Sequence, residues 1–143
     1  MTGVYGKAIE PGWLEVGRHT IQLGTDAARQ PLKILHLSDL HASDLVSLEF
    51  IEKAIQVGLR EKPDLICLTG DYITHKYDDW TGYARVLSSL SKAAPTFATL
   101  GNHDGGNWCA KHHGYDNSHL VRDLFDKSGI DHLDNASRQI NLR

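Results

Sequence analysis

The chain is poor in cysteine: it has two, Cys67 and Cys109, and no Cys-x-x-Cys pattern. That excludes a disulfide framework as the basis of the fold. Long apolar runs are missing too. No stretch is long enough to span a bilayer, and Met1 to Lys7 lacks the apolar core of a secretion signal. The expectation is therefore a cytoplasmic protein, touching a membrane only peripherally or through a segment upstream. Positive charge is sparse. Fifteen Lys and Arg stand against 18 Asp and Glu, the formal net charge is -3, and no basic run occurs. This excludes a broad electrostatic footprint for nucleic acid or an anionic surface. It does not exclude a small anionic substrate. There is no internal repeat and no low-complexity linker. What remains is ordinary: 143 residues, 41% hydrophobic and 23% charged, enough for a single domain, 1–143, with a real core.

Apolar periodicity gives the elements. Residues 1–31 read as an N-terminal extension, with a hairpin from Trp13–Val16 and His19–Leu23 around Gly17-Arg18. This hairpin is expected at the edge of the main sheet. Lys33–Leu37 reads as the first central strand. Leu45, Leu48, Ile51, Ile55 and Leu59 recur at helical spacing, with Asp44 as the expected N-cap and Pro63 blocking continuation. Asp64–Thr69 is nearly continuous in apolar character, as a strand covered on both faces should be. A second helix is expected over Asp78–Lys92 and a third strand over Pro95–Leu100. Gly105 to Gly114 reads as a polar loop holding Cys109. A third helix follows over His119–Ser128, closed by Gly129. Ile130–Leu133 and Ser137–Leu142 read as short strands. The alternation predicts an α/β fold: a largely parallel sheet with helices on both faces. The last residues stop inside a β-prone run, which reads as an N-terminal fragment of a longer protein.

The chemistry sits where strands end. Asp39 and His41 lie two apart just past the first strand, Gly70-Asp71 leaves the second, and Gly101-Asn102-His103-Asp104 leaves the third. The C-terminal ends of parallel strands are where open α/β sheets bind ligands. Carboxylate, imidazole and amide oxygen together suit a hard or borderline divalent cation. Asp39, His41, Asp71 and Asn102 supply that mixture. Two metals about 3.5–4 Å apart could share one carboxylate, clamp a phosphate and generate hydroxide between them. Asp71, on the middle strand in sequence order, is the natural bridge. His103 suits a general acid or a donor to phosphate charge. Gly70 and Gly101 let the backbone turn sharply and let a phosphate approach closely.

Asp-x-His alone reads more readily as a solvated loop, Gly-Asp alone is weaker still, and Gly-Asn-His-Asp is more specific though its residues also favour turns; their order and placement carry the inference. Of the other histidines, His36 reads as a core or supporting residue, and His75, His112, His113 and His119 as surface residues. Tyr72 reads as packing. Trp108 does too, or as a wall of a substrate cleft. Asp104 orients a neighbour or caps its turn.

At these residues the chain resembles the calcineurin-like metallophosphoesterases. Asp39-Leu40-His41, Gly70-Asp71 and Gly101-Asn102-His103-Asp104 match their successive signatures. The wording Leu37 to His41 and Leu68 to Tyr72 is similar to the bacterial phosphodiesterase-like branch. The resemblance implies the N-terminal part of a four-layer α/β/β/α sandwich. It also implies a dinuclear site for Mn, Fe, Zn or similar ions. Asp39 and His41 would hold one metal, Asp71 would bridge, Asn102 would hold the other metal and contact substrate, and His103 would lie at the scissile phosphate. The implied reaction is hydrolysis of a phosphomonoester, phosphodiester or pyrophosphate in a small molecule, nucleotide or nucleotide-lipid. The run Gly101 to Trp108 is also similar to a branch that cleaves UDP-diacylglucosamine. Two departures stand out. The later lone His and Gly-His-x-His of the family do not occur before Arg143. Asp71 is followed by Tyr72-Ile73-Thr74-His75, unlike the protein phosphatases. A catalytically incomplete scaffold that binds partners is the alternative reading. A Rossmann-like nucleotide domain fails for want of Gly-x-Gly-x-x-Gly after the first strand.

Overall fold

Four short parallel strands organise the computed structural model, which describes residues 14–22 and 31–142. The chain divides into two units, 1–31 and 32–143. In the first, residues 14–22 form no strand. The outer ends of the expected hairpin, Trp13 and Leu23, lie outside the described residues.

The second unit runs β1 (Ile34–Leu37), α1 (Leu48–Leu59), β2 (Leu65–Thr69), α2 (Trp80–Ala93), β3 (Thr96–Thr99), α3 (Asn107–Lys111), α4 (His119–Ser128) and β4 (Asp131–His132). The sheet order is β1-β2-β3-β4, every neighbour parallel. Consecutive strands thus always step in the same direction. Right-handed crossovers then put every connecting helix on the same face. Accordingly α1 packs on α2, and α2 on α4. This corrects the expectation of helices on both faces: such an arrangement needs a reversal of strand order, and these four strands have none.

The alternation of burial follows. Ile66, Leu68, Thr96 and Ala98 are buried beneath the helices. Ile51 and Ile55 of α1, Tyr83, Val86, Leu87 and Leu90 of α2, and Val121, Leu124 and Phe125 of α4 close over them. Each large apolar side chain so buried contributes about 1.5–3 kcal/mol. On the opposite face Leu65, Cys67 and Phe97 are half-buried and Ile34 is exposed.

Boundaries shift where local chemistry decides. α1 starts at Leu48, because Ser47, not Asp44, accepts the cap bond from the Phe50 amide at 3.3 Å. Leu45, expected on its inner face, is 95% exposed. Asp79 caps α2 through the Gly82 amide at 2.8 Å. Residues 105–114 are not all loop: they contain α3, and its Cys109 is buried. Gly129 closes α4 in the left-handed conformation, φ 67°, as expected. Residues 137–142 form no strand. Among the described residues no helix is long and apolar enough to cross a membrane.

Candidate functional site

Three turns leave the C-terminal ends of β1, β2 and β3, and the first two are stitched to each other by their backbones. The Asp39 amide donates to the Gly70 carbonyl at 3.2 Å, His41 to Asp71 at 2.9 Å, and Ala42 to Tyr72 at 2.9 Å. Asp39, His41 and Asp71 all take positive φ, 55°, 47° and 55°. Such a conformation is disfavoured for residues with a Cβ and is held only where surrounding bonds fix it. Here it aims three side chains at one point.

The third turn wraps Asp71. The His103 amide donates to Asp71 Oδ1 at 2.9 Å. Glycine is required at two places. Gly70 has φ +79°, and a Cβ there would lie 2.7 Å from the Gly101 Cα; a Cβ on Gly101 would overlap the Asp71 carboxylate.

Beneath the turns lies Asp104, 1% exposed. Its carboxylate accepts from the amides of Asp71 at 2.8 Å, Tyr72 at 2.7 Å and Gly101 at 2.7 Å. It ties the second turn to the third. Burial pushes its carboxyl above the usual range, opposed by the three amides, while the neighbouring Asp71 charge adds to the rise. Orienting neighbours is thus its observed role. The signal for it in the sequence was only its place at the end of Gly-Asn-His-Asp.

One ligand atom each of Asp39, His41 and Asp71 lies within 4.8 Å of the others. His41 Nε2 stands 3.8 Å from Asp39 Oδ1 and 3.9 Å from Asp71 Oδ2. These gaps are too long for hydrogen bonds and suit donors that converge on one cation at about 2.0–2.2 Å each. His41 Nδ1 is buried and has no partner among the described residues. The other ring nitrogen, Nε2, sits between two carboxylates, a donor set that fits a divalent metal.

His103 lies beside this group, its ring 4.9 Å from that of His41 and edge-on at 88°. Its Nδ1 is 2.8 Å from the Thr74 carbonyl. A carbonyl only accepts, so Nδ1 carries the proton and Nε2 is the nitrogen left for exchange. Thr74 Oγ1 in turn donates to the His41 carbonyl at 3.2 Å. Asn102 sits between Gly101 and His103 on the turn that wraps Asp71, and is exposed. His36 is exposed rather than in the core, its Nε2 2.6 Å from Thr69 Oγ1. Trp108, 45% exposed, has its ring 4.8 Å from that of His103. His75, His112, His113 and His119 are exposed. The Thr74 carbonyl and the helical seat of Trp108 were not foreseeable: a backbone acceptor has no side-chain signature, and five residues show no period.

The model of the calcineurin-like phosphoesterase family matches residues 32–140. The chain is 41% identical over 132 residues to the phosphodiesterase YaeI of Escherichia coli (strain K12), covering 92% of this chain and 46% of that one. It is 35% identical over 112 residues to the uncharacterized metallophosphoesterase YkuE of Bacillus subtilis (strain 168), covering 73% and 37%. It is 29% identical over 113 residues to the UDP-2,3-diacylglucosamine pyrophosphatase LpxG of Chlamydia muridarum (strain MoPn / Nigg), covering 78% and 34%. The chain spans less than half the length of these relatives. With three motif-bearing turns converging at one sheet edge and a family match over most of its length, this chain belongs to the calcineurin-like phosphoesterases.

Proposed function

We propose that the protein is a metal-dependent phosphohydrolase of small phosphorylated substrates. Asp39, His41, Asp71 and Asn102 would hold two divalent cations, Mn, Fe or Zn. The observation that carries this is the convergence of Asp39, His41 and Asp71, from two separate strand ends, within 4.8 Å. Asp71 suits the bridging role because its oxygens face different ways: Oδ2 faces His41, and Oδ1 faces the turn bearing Asn102. When bound, such ions neutralise phosphate charge and lower the pKa of water. The chain's own residues supply the rest. Asp104 holds the two turns in register, and the Thr74 carbonyl fixes the His103 tautomer. Protonated His103 passes its Nε2 proton to the leaving oxygen as a water oxygen bonds to phosphorus and the bond from phosphorus to the leaving oxygen breaks.

Similarity to YaeI favours a phosphodiester. Similarity to LpxG keeps a pyrophosphate in a nucleotide-lipid as the second reading. The test is manganese-stimulated hydrolysis of bis-p-nitrophenyl phosphate by the full-length protein, with calorimetric manganese titration alongside. The expected result is binding of two ions, and turnover that falls at least about 100-fold in Asp71→Asn. Weak binding of one ion without turnover would favour the scaffold reading instead.

A further inference from the structure

Trp108 borders the site, and the proposed reaction does not use it. Its indole lies 4.8 Å from the His103 ring at 68° and 4.3 Å from the His112 ring at 40°. The seat is firm. Cys109, the next residue, is 2% exposed, and its thiol donates to the His103 carbonyl at 3.1 Å. The Gly106 amide donates to the Tyr115 carbonyl at 3.1 Å, and the Gly114 amide to the Cys109 carbonyl at 2.9 Å. The thiol bond ties α3 to the turn that carries His103, and the two amide bonds tie it to the segment that follows it. A side chain serving only as a packing wedge would be covered, yet Trp108 keeps 45% of its surface in water. An aromatic ring already held in place loses little freedom when a ligand meets it.

We propose that Trp108 is a stacking platform for a planar ring on the leaving group of the substrate, a nucleobase or a simple aryl group. The proposal rests on the assignment of His103 to the leaving oxygen. Whatever that oxygen carries is the part of the substrate nearest the indole. Every nucleobase or aryl group has a π face to lay on it, and a bare sugar has none. Stacking of this kind is worth about tenfold or more in affinity.

The test uses the manganese-loaded full-length protein and three probes in calorimetric titrations: uridine 5′-monophosphate, phenyl phosphate and ribose 5-phosphate. In the wild type, uridine 5′-monophosphate should bind about tenfold tighter than ribose 5-phosphate. Trp108→Ala should erase that gap and leave ribose 5-phosphate unchanged, while Trp108→Phe keeps most of it. Circular dichroism and manganese titration confirm that each variant is folded and loaded. Phenyl phosphate matching uridine 5′-monophosphate would support a platform for any aryl ring; phenyl phosphate matching ribose 5-phosphate, with uridine 5′-monophosphate tighter, would support a nucleobase. Equal wild-type binding of uridine 5′-monophosphate and ribose 5-phosphate would overturn the proposal, as would an equal loss of both in Trp108→Ala. Failure of all three probes to bind while bis-p-nitrophenyl phosphate is still hydrolysed would overturn the platform alone; failure of binding and of that hydrolysis together would overturn the phosphohydrolase reading as well.

Discussion

At the scale of the residue, the site depends on side chains whose partners leave them one role. His103 is the clearest case. Nδ1–H donates to the Thr74 carbonyl at 2.8 Å and keeps its proton, so any proton given up comes from Nε2. A general acid matters most when the leaving oxygen departs as a strong base and least when it departs as a stable anion. His103→Gln should therefore lower kcat about 100-fold or more on an alkyl ester, and far less on a p-nitrophenyl ester. The check is the ratio of the two losses. Equal losses would assign His103 to ground positioning or phosphate charge instead of proton transfer. Asp104 also has one role: it accepts three amides, and leaving such donors unpaired costs about 1–3 kcal/mol. The candidate ligands were legible in the sequence because carboxylate, imidazole and amide were spaced at strand ends. Their meeting at one sheet edge was expected from those strand ends; the geometry that achieves it was not legible, because it rests on positive φ at Asp39, His41 and Asp71 and on bonds to residues about 30 positions away.

At the scale of the element, α4 is the one whose limits the sequence shows best. An apolar stripe of Val121, Leu124 and Phe125 ends at Gly129, and the structure keeps both features. α1 shows the opposite case. Asp44 and Ser47 are both chemically able to cap, and backbone geometry chose Ser47. β4 is only two residues long, too short for any period to show, and it is held from the side by α4. Arg122 of α4 donates to His132 Nδ1 at 3.1 Å and to Asp134 at 2.8 Å. Burial first, then the Arg122 charge, pulls the His132 ring below its ordinary value, against the pull of Asp134 and Asp126. Asp134 is itself held below the usual carboxylate range by the Arg122 hydrogen bond, so it stays charged through the range where histidine titrates. The sign follows. The folded state favours neutral His132, so its contribution is present above about pH 6.5 and is lost as pH falls through that value. The Leu133 amide, bonded to the Ala98 carbonyl at 2.9 Å, reports on this junction. Its exchange protection, corrected for intrinsic rate, should fall between about pH 7.5 and 5.5. In His132→Gln the profile should be flat, and an unchanged fall in that variant would remove His132 as the cause.

At the scale of the whole molecule, the described helices cover one face of the sheet. Strand order β1-β2-β3-β4 sends α1, α2 and α4 to the same side, and the other side keeps Leu65, Cys67 and Phe97 half-buried and Ile34 54% exposed. Parallel strands are ordinarily covered on both faces, which is why the near-continuous apolar run Leu65–Leu68 reads as doubly buried. The relatives are more than twice as long as the matched region, and a second sheet packed about 10 Å away is the covering that such a face accepts. The two cysteines offer a direct measure. Cys67 lies on the open face, and Cys109 is 2% exposed beneath α3. Burial raises the Cys67 thiol, so its thiolate is scarce at neutral pH and increases as pH rises. In the isolated 1–143 chain, iodoacetamide should label Cys67 slowly at neutral pH and faster at higher pH, while Cys109 reacts only on unfolding. A second layer on this face would instead protect Cys67 at every pH at which the fold persists. No labelling of Cys67 in the folded chain at any pH would mean that this face is covered after all.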